Sequence, residues 1–426
     1  MCIRDRPRTV AANSLLDLPD DWPTSFSIIV GNPPFLGQLT SDTARDRHEQ
    51  VQLKERYGDI ATAYVDHSSL FVELALRHLG DHSALALILP QSFLGARDSE
   101  PVRRSLVQRA LLSTLWIDDA DSFSASVEVI AIVAVSAPTS CDRSPTRATQ
   151  VVVGEQPRGQ FPTPEAGSWA PLLARSQGVP QVSIVSSDTQ LSEVATVTAG
   201  FRQHFYGISG AVGEMDETVE GQARKAPLLT SGSIDPLAPS WGHRPVKFAG
   251  TRWNHPVLDL DRIEDADVRR WFEDRLVPKV LVASQTPVIE AIVDAEAELA
   301  PSVPVITIEP HDPAMIWHVA AALSAPSTSA LMLAEAAGTG LSAKAIRVRA
   351  KTLSMIQLPA PGALWDRGAE AARAAQTAWR AGDGEAYASS LLKLGEAMTA
   401  AYGGSPDLVR WWIARLPSRK RTPRAY

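Results

Sequence analysis

The segment from Phe26 to Phe35 constrains the fold more than any other part of this chain. Its first half, Phe-Ser-Ile-Ile-Val, is short and almost continuously apolar, which is typical of a buried β-strand. Gly31 ends this run, and an Asn-Pro-Pro-Phe turn follows at once. Because proline has no backbone N–H, the strand cannot continue through the turn. The turn is therefore expected at the strand end, where open α/β sheets bind their ligands.

The next hundred residues alternate between helical and strand-like patterns. The predicted elements are a helix over 69–80, a strand over 84–90, a helix over 102–112 and a strand over 129–135. This alternation predicts a parallel, doubly wound α/β sheet. The polar stretch 40–57 is predicted to be a loop or lid.

Composition limits the class of protein. The chain has 426 residues, a net charge of −7 and 45% hydrophobic residues, enough for two or three domains. Its two cysteines, Cys2 and Cys141, are far apart, which fits a reducing, cytoplasmic setting. The nine histidines show no metal-ligand spacing, so no metal site is predicted. No apolar run is long enough to span a bilayer, so no membrane partner is predicted. The acidic balance argues against bulk electrostatic binding of DNA, but leaves room for a local basic face.

The turn and the elements after it resemble the catalytic domain of amino-group DNA methyltransferases, especially those that methylate adenine. The shared order is Gly-Asn-Pro-Pro-Phe, then Asp66 before a Leu-Phe-x-Glu helix, an apolar strand ending in proline, and Phe123 before a Val-rich strand. This order is similar to the later half of that domain in type IIG restriction-modification enzymes and in the phage-defence systems called BREX. The resemblance covers residues 10–135. It implies a partial doubly wound, Rossmann-like class I methyltransferase sheet.

The resemblance implies a catalytic role for the turn. Asn32 and the carbonyl of Pro33 would accept the two hydrogens of an exocyclic amine, since Pro33 and Pro34 leave no donor in the way. Phe35 would stack on the extruded base, and Phe123 would pack against its other side. An ordinary Asn-capped turn and simple core packing of the phenylalanines remain the alternatives.

The same resemblance implies S-adenosylmethionine as the methyl donor. Asp66 and Phe71 match positions at the edge of its pocket, and Asn13 stands where an Asp usually binds its adenine. Asp66 could instead cap the following helix, and Phe71 could belong to the core. The family's Gly-rich turn and ribose-binding acid have no counterpart in this sequence. We therefore expect the later portion of a larger enzyme or one chain of a split enzyme, with an exposed sheet edge, a cofactor-shaped hollow and poor solubility.

The remaining sequence predicts further regions after a catalytic portion at 1–138. Residues 139–190 are rich in Pro, Ser, Gly and Arg and are predicted to form a linker or irregular connection. Residues 191–364 contain segments that resemble the part following the catalytic domain in the same enzymes, and they end like a target recognition domain of type I specificity subunits. They predict an α+β target recognition domain for double-stranded DNA. Residues 365–426 are rich in alanine and predict a helical tail.

The candidate DNA contacts are basic and aromatic side chains of the predicted recognition domain: Arg202, Tyr206, Arg244, Lys247, Arg252, Lys344, Arg347 and Arg349. Arg347 and Arg349 alternate with apolar residues, so a strand would place both on one face. A solvated strand face is the alternative for each arginine taken singly. As a set near Trp241 and Trp253, these residues favour nucleic acid.

These patterns predict a site-specific DNA methyltransferase that acts on adenine amino groups in restriction-modification or phage defence. Its partners would be double-stranded DNA and a missing N-terminal half or other restriction or defence subunits. Direct transfer is expected, since no cysteine lies near the turn to attack a base. Two alternatives stay open: a catalytically inactive DNA-recognition module, and an amino methyltransferase acting on cytosine, RNA or protein.

Overall fold

A computed structural model describes residues 12–35, 47–62, 64–119, 128–137, 147–165, 167–182, 185, 187–215, 224–337 and 346–417. The chain divides into two compact units. The first comprises residues 1–178 and 337–343, and the second comprises residues 179–336 and 344–426.

The first unit is built on a six-stranded sheet with the order β1-β2-β4-β3-β5-β6. Its strands are β1 (Phe26–Gly31), β2 (Leu79–Pro90), β3 (Ala110–Ile117), β4 (Val129–Ser136), β5 (Ala148–Val153) and β6 (Gln156–Pro162). Its helices are α1 (Arg47–Tyr57), α2 (His67–Arg77), α3 (Glu100–Arg109) and α4 (Ala170–Ser176).

The sheet is mixed, which corrects the expectation of a parallel sheet. β1 pairs with β2 and β3 pairs with β5 in parallel, whereas β4 runs antiparallel to both β2 and β3. The physical reason is the short chain between β3 and β4: parallel neighbours need a crossover of a dozen or more residues, and only residues 118–128 separate these strands. The predicted strands at 26–30, 84–90 and 129–135 are confirmed as strands. The expected burial of the first was wrong, because β1 is the terminal strand of the sheet and none of its residues is buried.

Three further expectations were wrong. The helix predicted over 102–112 ends at Arg109, because the apolar residues after it belong to β3. The predicted loop over 40–57 contains α1, where Leu53 and Tyr57, four residues apart, are buried against Leu15. The predicted irregular connection at 139–190 contains β5, β6 and α4, and the two strands extend the sheet of the first unit.

Buried polar side chains hold the helices of the first unit in place. Glu73 of α2 is fully buried; its carboxylate accepts hydrogen bonds from Arg77 Nε at 3.0 Å and Ser105 Oγ at 2.6 Å, and Arg109 lies 3.5 Å away. Arg103 of α3 donates to the carbonyls of residues 93, 96 and 167. Burial lowers the pKa of Arg103 to about 10, and the carbonyl contacts satisfy its donors.

The second unit is α+β. Its strands are β7 (Ala195–Ala199), β8 (Val212–Glu214), β9 (Lys225–Leu229), β10 (Ile234–Asp235), β11 (Ala238–Pro239), β12 (Val246–Phe248), β13 (Thr251–Trp253), β14 (Pro256–Asp259), β15 (Lys279–Val282), β16 (Gln285–Thr286), β17 (Ala291–Asp294), β18 (Ala300–Pro301), β19 (Ile306–Pro310) and β20 (Ile346–Arg347). They form two four-stranded sheets, β18-β9-β14-β8 and β17-β15-β19-β7, and three strand pairs, β10-β11, β12-β13 and β16-β20.

The helices of the second unit are α5 (Leu191–Val194), α6 (Arg202–Gly207), α7 (Ala266–Glu273), α8 (Ile316–Leu323), α9 (Pro326–Ala336), α10 (Ala350–Ser354), α11 (Ala363–Arg380), α12 (Gly384–Ala401) and α13 (Asp407–Arg415). The last three confirm the predicted helical character of the region from residue 365. They pack within the same compact unit as residues 191–336 and 344–364, since Trp365 donates to the carbonyl of His318 at 2.9 Å and Gln376 bonds both backbone groups of Val293.

Among the described residues, no single helix is both long and apolar enough to cross a membrane. Two helical segments, Pro313–Leu323 and Pro326–Glu335, are together long and apolar enough for a membrane span, but they meet at a 61° bend. Most of their residues are buried. Within the same ranges, no cluster of three or more His, Cys, Asp or Glu side chains is placed to hold a metal ion.

Candidate functional site

The Asn-Pro-Pro-Phe turn leaves the sheet directly after the last paired residue of β1. Gly31 pairs with Leu87 of β2, and Asn32 is the first residue beyond the ladder. A Cβ atom on Gly31 would lie 3.1 Å from Cδ2 of Leu87, so glycine allows the two strands to pack closely here. Asn32 is exposed, Pro33 is buried and Phe35 is half-buried. Within the described part of the chain, no hydrogen bond occupies the Asn32 side chain, so its oxygen is free to accept one.

A cleft of 470 Å³ runs along β1 and past its end. It brings together four of the predicted site residues, Asn32, Pro33 and Pro34 of the turn and Phe71 of α2. Phe71 also packs against the buried cluster that includes Leu70. Core packing, the alternative prediction for this residue, therefore accounts for part of its contacts. The volume lies in the range of small-molecule sites, which are mostly apolar with a few polar groups.

The other predicted residues of the first unit are not among those that line this cleft. The Asp66 carboxylate accepts from Ser68 N at 2.8 Å and Ser68 Oγ at 2.6 Å and so caps α2, as the alternative for this residue expected. Asn13 is exposed, and its side-chain oxygen accepts from Leu15 N at 3.2 Å. Phe123 lies outside the described residues.

An aromatic row at the opposite end of the cleft was missed by the sequence reasoning. Trp22 lies 6.0 Å from Phe26, which lies 6.3 Å from His78, and all three line the cleft. The sequence signal that could have revealed this row is the pair of aromatic residues just before and at the start of the first strand, Trp22 and Phe26. These rings offer flat apolar surfaces suited to a planar heterocycle.

β1 is an edge strand with an apolar, exposed surface. It is the terminal strand in the sheet order, so among the described residues its outer edge has no strand partner. Ile28 is 72% exposed and Val30 is 76% exposed. Within the described ranges, the sheet thus has an exposed edge, as the sequence predicted, and the cleft runs beside it.

Two of the predicted DNA contacts face each other in the second unit. Lys247 on β12 lies directly opposite Arg252 on β13, and both side chains are exposed. Arg202 and Tyr206 are exposed on α6. The short hairpin and α6 are thus the part of the second unit where several predicted contacts are free to reach a ligand.

Other predicted contacts have different surroundings. Arg244 donates from Nε to the carbonyl of Gly232 at 2.6 Å, and its Nη1 lies 3.2 Å from the buried Asp235 carboxylate. The expectation that one strand carries Arg347 and Arg349 on the same face was wrong, because β20 ends at Arg347 and Arg349 is the N-cap residue of α10. Arg349 is exposed. Lys344 lies outside the described residues, and the structure does not describe the side chain of Arg347.

The nearby tryptophans serve the fold. Trp241 donates from Nε1 to the carbonyl of Pro256 at 2.9 Å, and Trp253 donates from Nε1 to the carbonyl of Phe248 at 3.4 Å. Both side chains are half-buried, so they offer less surface to a ligand than the exposed ring of Tyr206.

Residues 10–123 match the family described as Eco57I restriction-modification methylase. This segment contains β1, the Asn-Pro-Pro-Phe turn and α2. The match supports a methyltransferase of restriction-modification. No curated protein matches the chain.

Solved structures similar to this chain include two restriction enzymes and a protein–DNA complex. The type IIG restriction endonuclease BpuSI is 12% identical, with a TM-score of 0.33 over 88% of this chain and 54% of that one. The DrdV–DNA complex is 11% identical, with a TM-score of 0.38 over 83% and 44%. A nuclease-deletion mutant of the Type ISP enzyme LlaGI in complex with a DNA substrate mimic is 11% identical, with a TM-score of 0.37 over 83% and 41%. The chain spans about half the length of BpuSI.

Proposed function

We propose that this chain is a site-specific DNA methyltransferase that transfers a methyl group from S-adenosylmethionine to the amino group of adenine, in a restriction-modification or phage-defence system. The observation that carries the proposal is the Asn32–Phe35 turn, which leaves a parallel strand pair and opens into a cleft within the segment that matches a restriction-modification methylase.

The turn supplies the groups that this reaction needs. The free side-chain oxygen of Asn32 and the carbonyl of Pro33 accept the two amine hydrogens and orient the nitrogen for attack. Phe35 provides a ring against which an extruded base stacks. Adenine is favoured by the resemblance of the turn to adenine-specific enzymes.

The cleft beside the turn fits the methyl donor. S-adenosylmethionine supplies an electrophilic methyl group when it is bound. Phe71, Trp22 and Phe26 present rings to the adenosine part, and the lining is mostly apolar with few polar groups such as Ser14. Asn13 and Asp66 remain proposed cofactor contacts, since Asn13 keeps its Nδ2 donors and Asp66 keeps its second carboxylate oxygen beyond the hydrogen bonds described above.

The exposed edge of β1 supports a protein partner. A strand in a parallel pair is normally covered on both faces, and a long apolar edge invites pairing with another strand. We therefore propose that additional polypeptide, either an N-terminal portion of the enzyme or another restriction or defence subunit, pairs with the outer edge of β1. It would cover Ile28 and Val30 and complete the wall of the cleft beside the methyl donor. The second unit would then act as the target recognition domain and contact double-stranded DNA.

A methyl-transfer assay tests the function. The full chain, with and without its co-encoded restriction or defence subunits, is incubated with methyl-labelled S-adenosylmethionine and genomic DNA. We expect label on adenine in DNA and a loss of about 100-fold or more in kcat for Asn32→Ala, the size of effect seen when one preorganised hydrogen bond to a reacting group is removed. Asn254→Ala, at an exposed asparagine of the second unit, is the matched control. Label in RNA or protein instead of DNA, or equal kcat for wild type and Asn32→Ala, would contradict the proposal.

A further inference from the structure

The hairpin formed by β12 and β13 has an unusual arrangement of charge. Its strands pair in the order Val246↔Trp253, Lys247↔Arg252 and Phe248↔Thr251, which puts the two basic residues directly opposite each other. Like charges on facing positions destabilise a strand pair. Among the described residues, neither Lys247 nor Arg252 takes part in a salt bridge. A bound anion would relieve the repulsion between the two side chains.

The tip of the hairpin is narrow and well defined. Ala249 and Gly250 form a two-residue turn with φ values of 49° and 82°, as in the type I′ turns that match the twist of a hairpin. A positive φ is unfavourable for alanine by roughly 1 kcal/mol, so strand pairing must hold the turn in shape. The tip therefore presents little bulk beyond the two basic side chains.

The opposite face of the hairpin is anchored in the core of the second unit. Phe248 is 4% exposed and packs in the same cluster as Leu258 and Phe272, with Trp253 against it. Just before β12, Arg244 is tied to the carbonyl of Gly232. The two strands are therefore a fixed support, and the basic residues are held with little loss of backbone entropy on binding.

The hairpin also shares its support with α6. Phe205 packs against Phe248 at a centroid distance of 4.9 Å, and Tyr206 meets Phe205 edge-on at 5.3 Å. Arg202 of the same helix is exposed. A rigid aromatic contact thus joins the exposed Tyr206 and Arg202 to the strand that carries Lys247.

We propose that the β12–β13 hairpin is a two-stranded ribbon by which the second unit holds the phosphate backbone of double-stranded DNA, with Lys247 and Arg252 as paired phosphate contacts. The inference rests on the proposed function, which makes duplex DNA the substrate. Paired cations on the exposed face of the hairpin match the closely spaced phosphates of a duplex.

The test measures binding of the full chain to a fluorescent duplex at salt concentrations from about 50 to about 200 mM, the range over which phosphate contacts dominate the change in affinity. The variant is Lys247→Ala/Arg252→Ala. Its matched control is Arg373→Ala/Lys393→Ala, which removes the same charge from exposed positions on α11 and α12. We expect the hairpin variant to bind about 10-fold more weakly at the lower salt, and the slope of log K against log[salt] to fall in size by about 2.

Stability separates this role from a structural one. Removing a like-charge pair relieves repulsion, so the hairpin variant should melt at or above the wild-type temperature while it binds DNA more weakly. In the methyl-transfer assay the hairpin variant should raise KM for DNA, whereas Asn32→Ala should lower kcat. These two readouts keep the hairpin and the methyl-transfer site distinguishable.

Two results would overturn the inference. If the hairpin variant and its control show the same salt slope as a wild type that binds DNA, the hairpin makes no phosphate contact and the proposed function stands without it. If the wild type binds single-stranded RNA but no duplex, the hairpin serves another nucleic acid, and the labelled product of the methyl-transfer assay decides the proposed function separately.

Discussion

The ring of Phe205 packs against the ring of Phe248, with centroids 4.9 Å apart and an interplanar angle of 55°. Phe248 is buried on β12, and Phe205 is half-buried on α6. The contact joins the two elements that carry Tyr206 and Lys247. This contact therefore supports both the exposed aromatic and the exposed basic residues of this surface.

Removing that contact should loosen both elements. Full truncation of a buried phenylalanine costs about 3–5 kcal/mol, and Phe205 is only half-buried, so Phe205→Ala should lower the free energy of unfolding by about 2 kcal/mol. Phe201→Ala is the control, since Phe201 is 70% exposed and its truncation should change stability by about 0.5 kcal/mol or less. Urea denaturation measures both, and equal effects would contradict the packing role of Phe205.

The edge of β1 should govern self-association. Ile28→Thr/Val30→Thr keeps β-branched residues in the strand but removes apolar surface, so it should reduce aggregation of the isolated chain. Val185→Thr changes a residue that is 71% exposed in the second unit and should have no such effect. Light scattering at increasing protein concentration compares the three proteins. A wild-type chain that stays monomeric throughout would refute the expected poor solubility.

The buried Glu73 should respond asymmetrically to substitution. Arg77→Ala/Arg109→Ala leaves its carboxylate buried without a cation and should cost about 3–5 kcal/mol. Glu73→Gln leaves Arg77 and Arg109, which are 35% and 48% exposed and stay accessible to water, so it should cost about 1–2 kcal/mol. Chemical denaturation measures the free energy of unfolding of both variants. A larger loss of stability in Glu73→Gln than in Arg77→Ala/Arg109→Ala would show that the unpaired arginines, and not the buried carboxylate, carry the larger cost.

His204 should make stability depend on pH. Burial lowers its pKa, and the nearby Arg275 lowers it further, so the folded state favours the neutral ring whose Nδ1 accepts from Phe201 N at 2.9 Å. Because the folded pKa lies below the unfolded one, the unfolded chain binds more protons as the medium becomes acidic. This contribution is therefore complete at neutral pH and is lost as the pH falls below about 6.5.

His204→Asn is the matched variant, since its side-chain oxygen replaces the Nδ1 acceptor without titrating. The melting temperature of the wild type should fall more steeply than that of the variant between neutral and mildly acidic pH. Parallel curves would show that the ring does not titrate differently in the folded state.

The strands and the turn nearest the candidate site could be predicted from local sequence patterns. Apolar runs predicted β1, β2 and β4, because short continuous runs of apolar side chains favour strands. The Asn32–Phe35 turn lies at a strand end because its prolines end the ladder. α1 was missed because, among its described side chains, only Leu53 and Tyr57 are buried, and the rest of its sequence is polar apart from the exposed Val51.

Other features depend on register and tertiary contacts that the sequence does not display. Lys247 and Arg252 face each other only because the turn has two residues, and Ala-Gly is a weaker turn signal than Asn-Gly. Arg244 reads as a free cation in the sequence, yet its guanidinium lies beside a buried Asp235 that is nine residues earlier in the chain. The sequence therefore did not predict the surroundings of single arginines, whereas it did predict that the motif turn lies at a strand end.

The central claim is that the turn at Asn32 directs methylation of adenine in DNA, and it is tested most directly in the cells that encode this chain. The gene is replaced by an Asn32→Ala version, and genomic DNA is sequenced by a method that detects methylated bases. We predict that methylation of the adenine amino group at one recurring sequence is present in the parent and lost in the variant. An unchanged pattern of base methylation would contradict the account, and loss of methylated cytosine instead would contradict its choice of base.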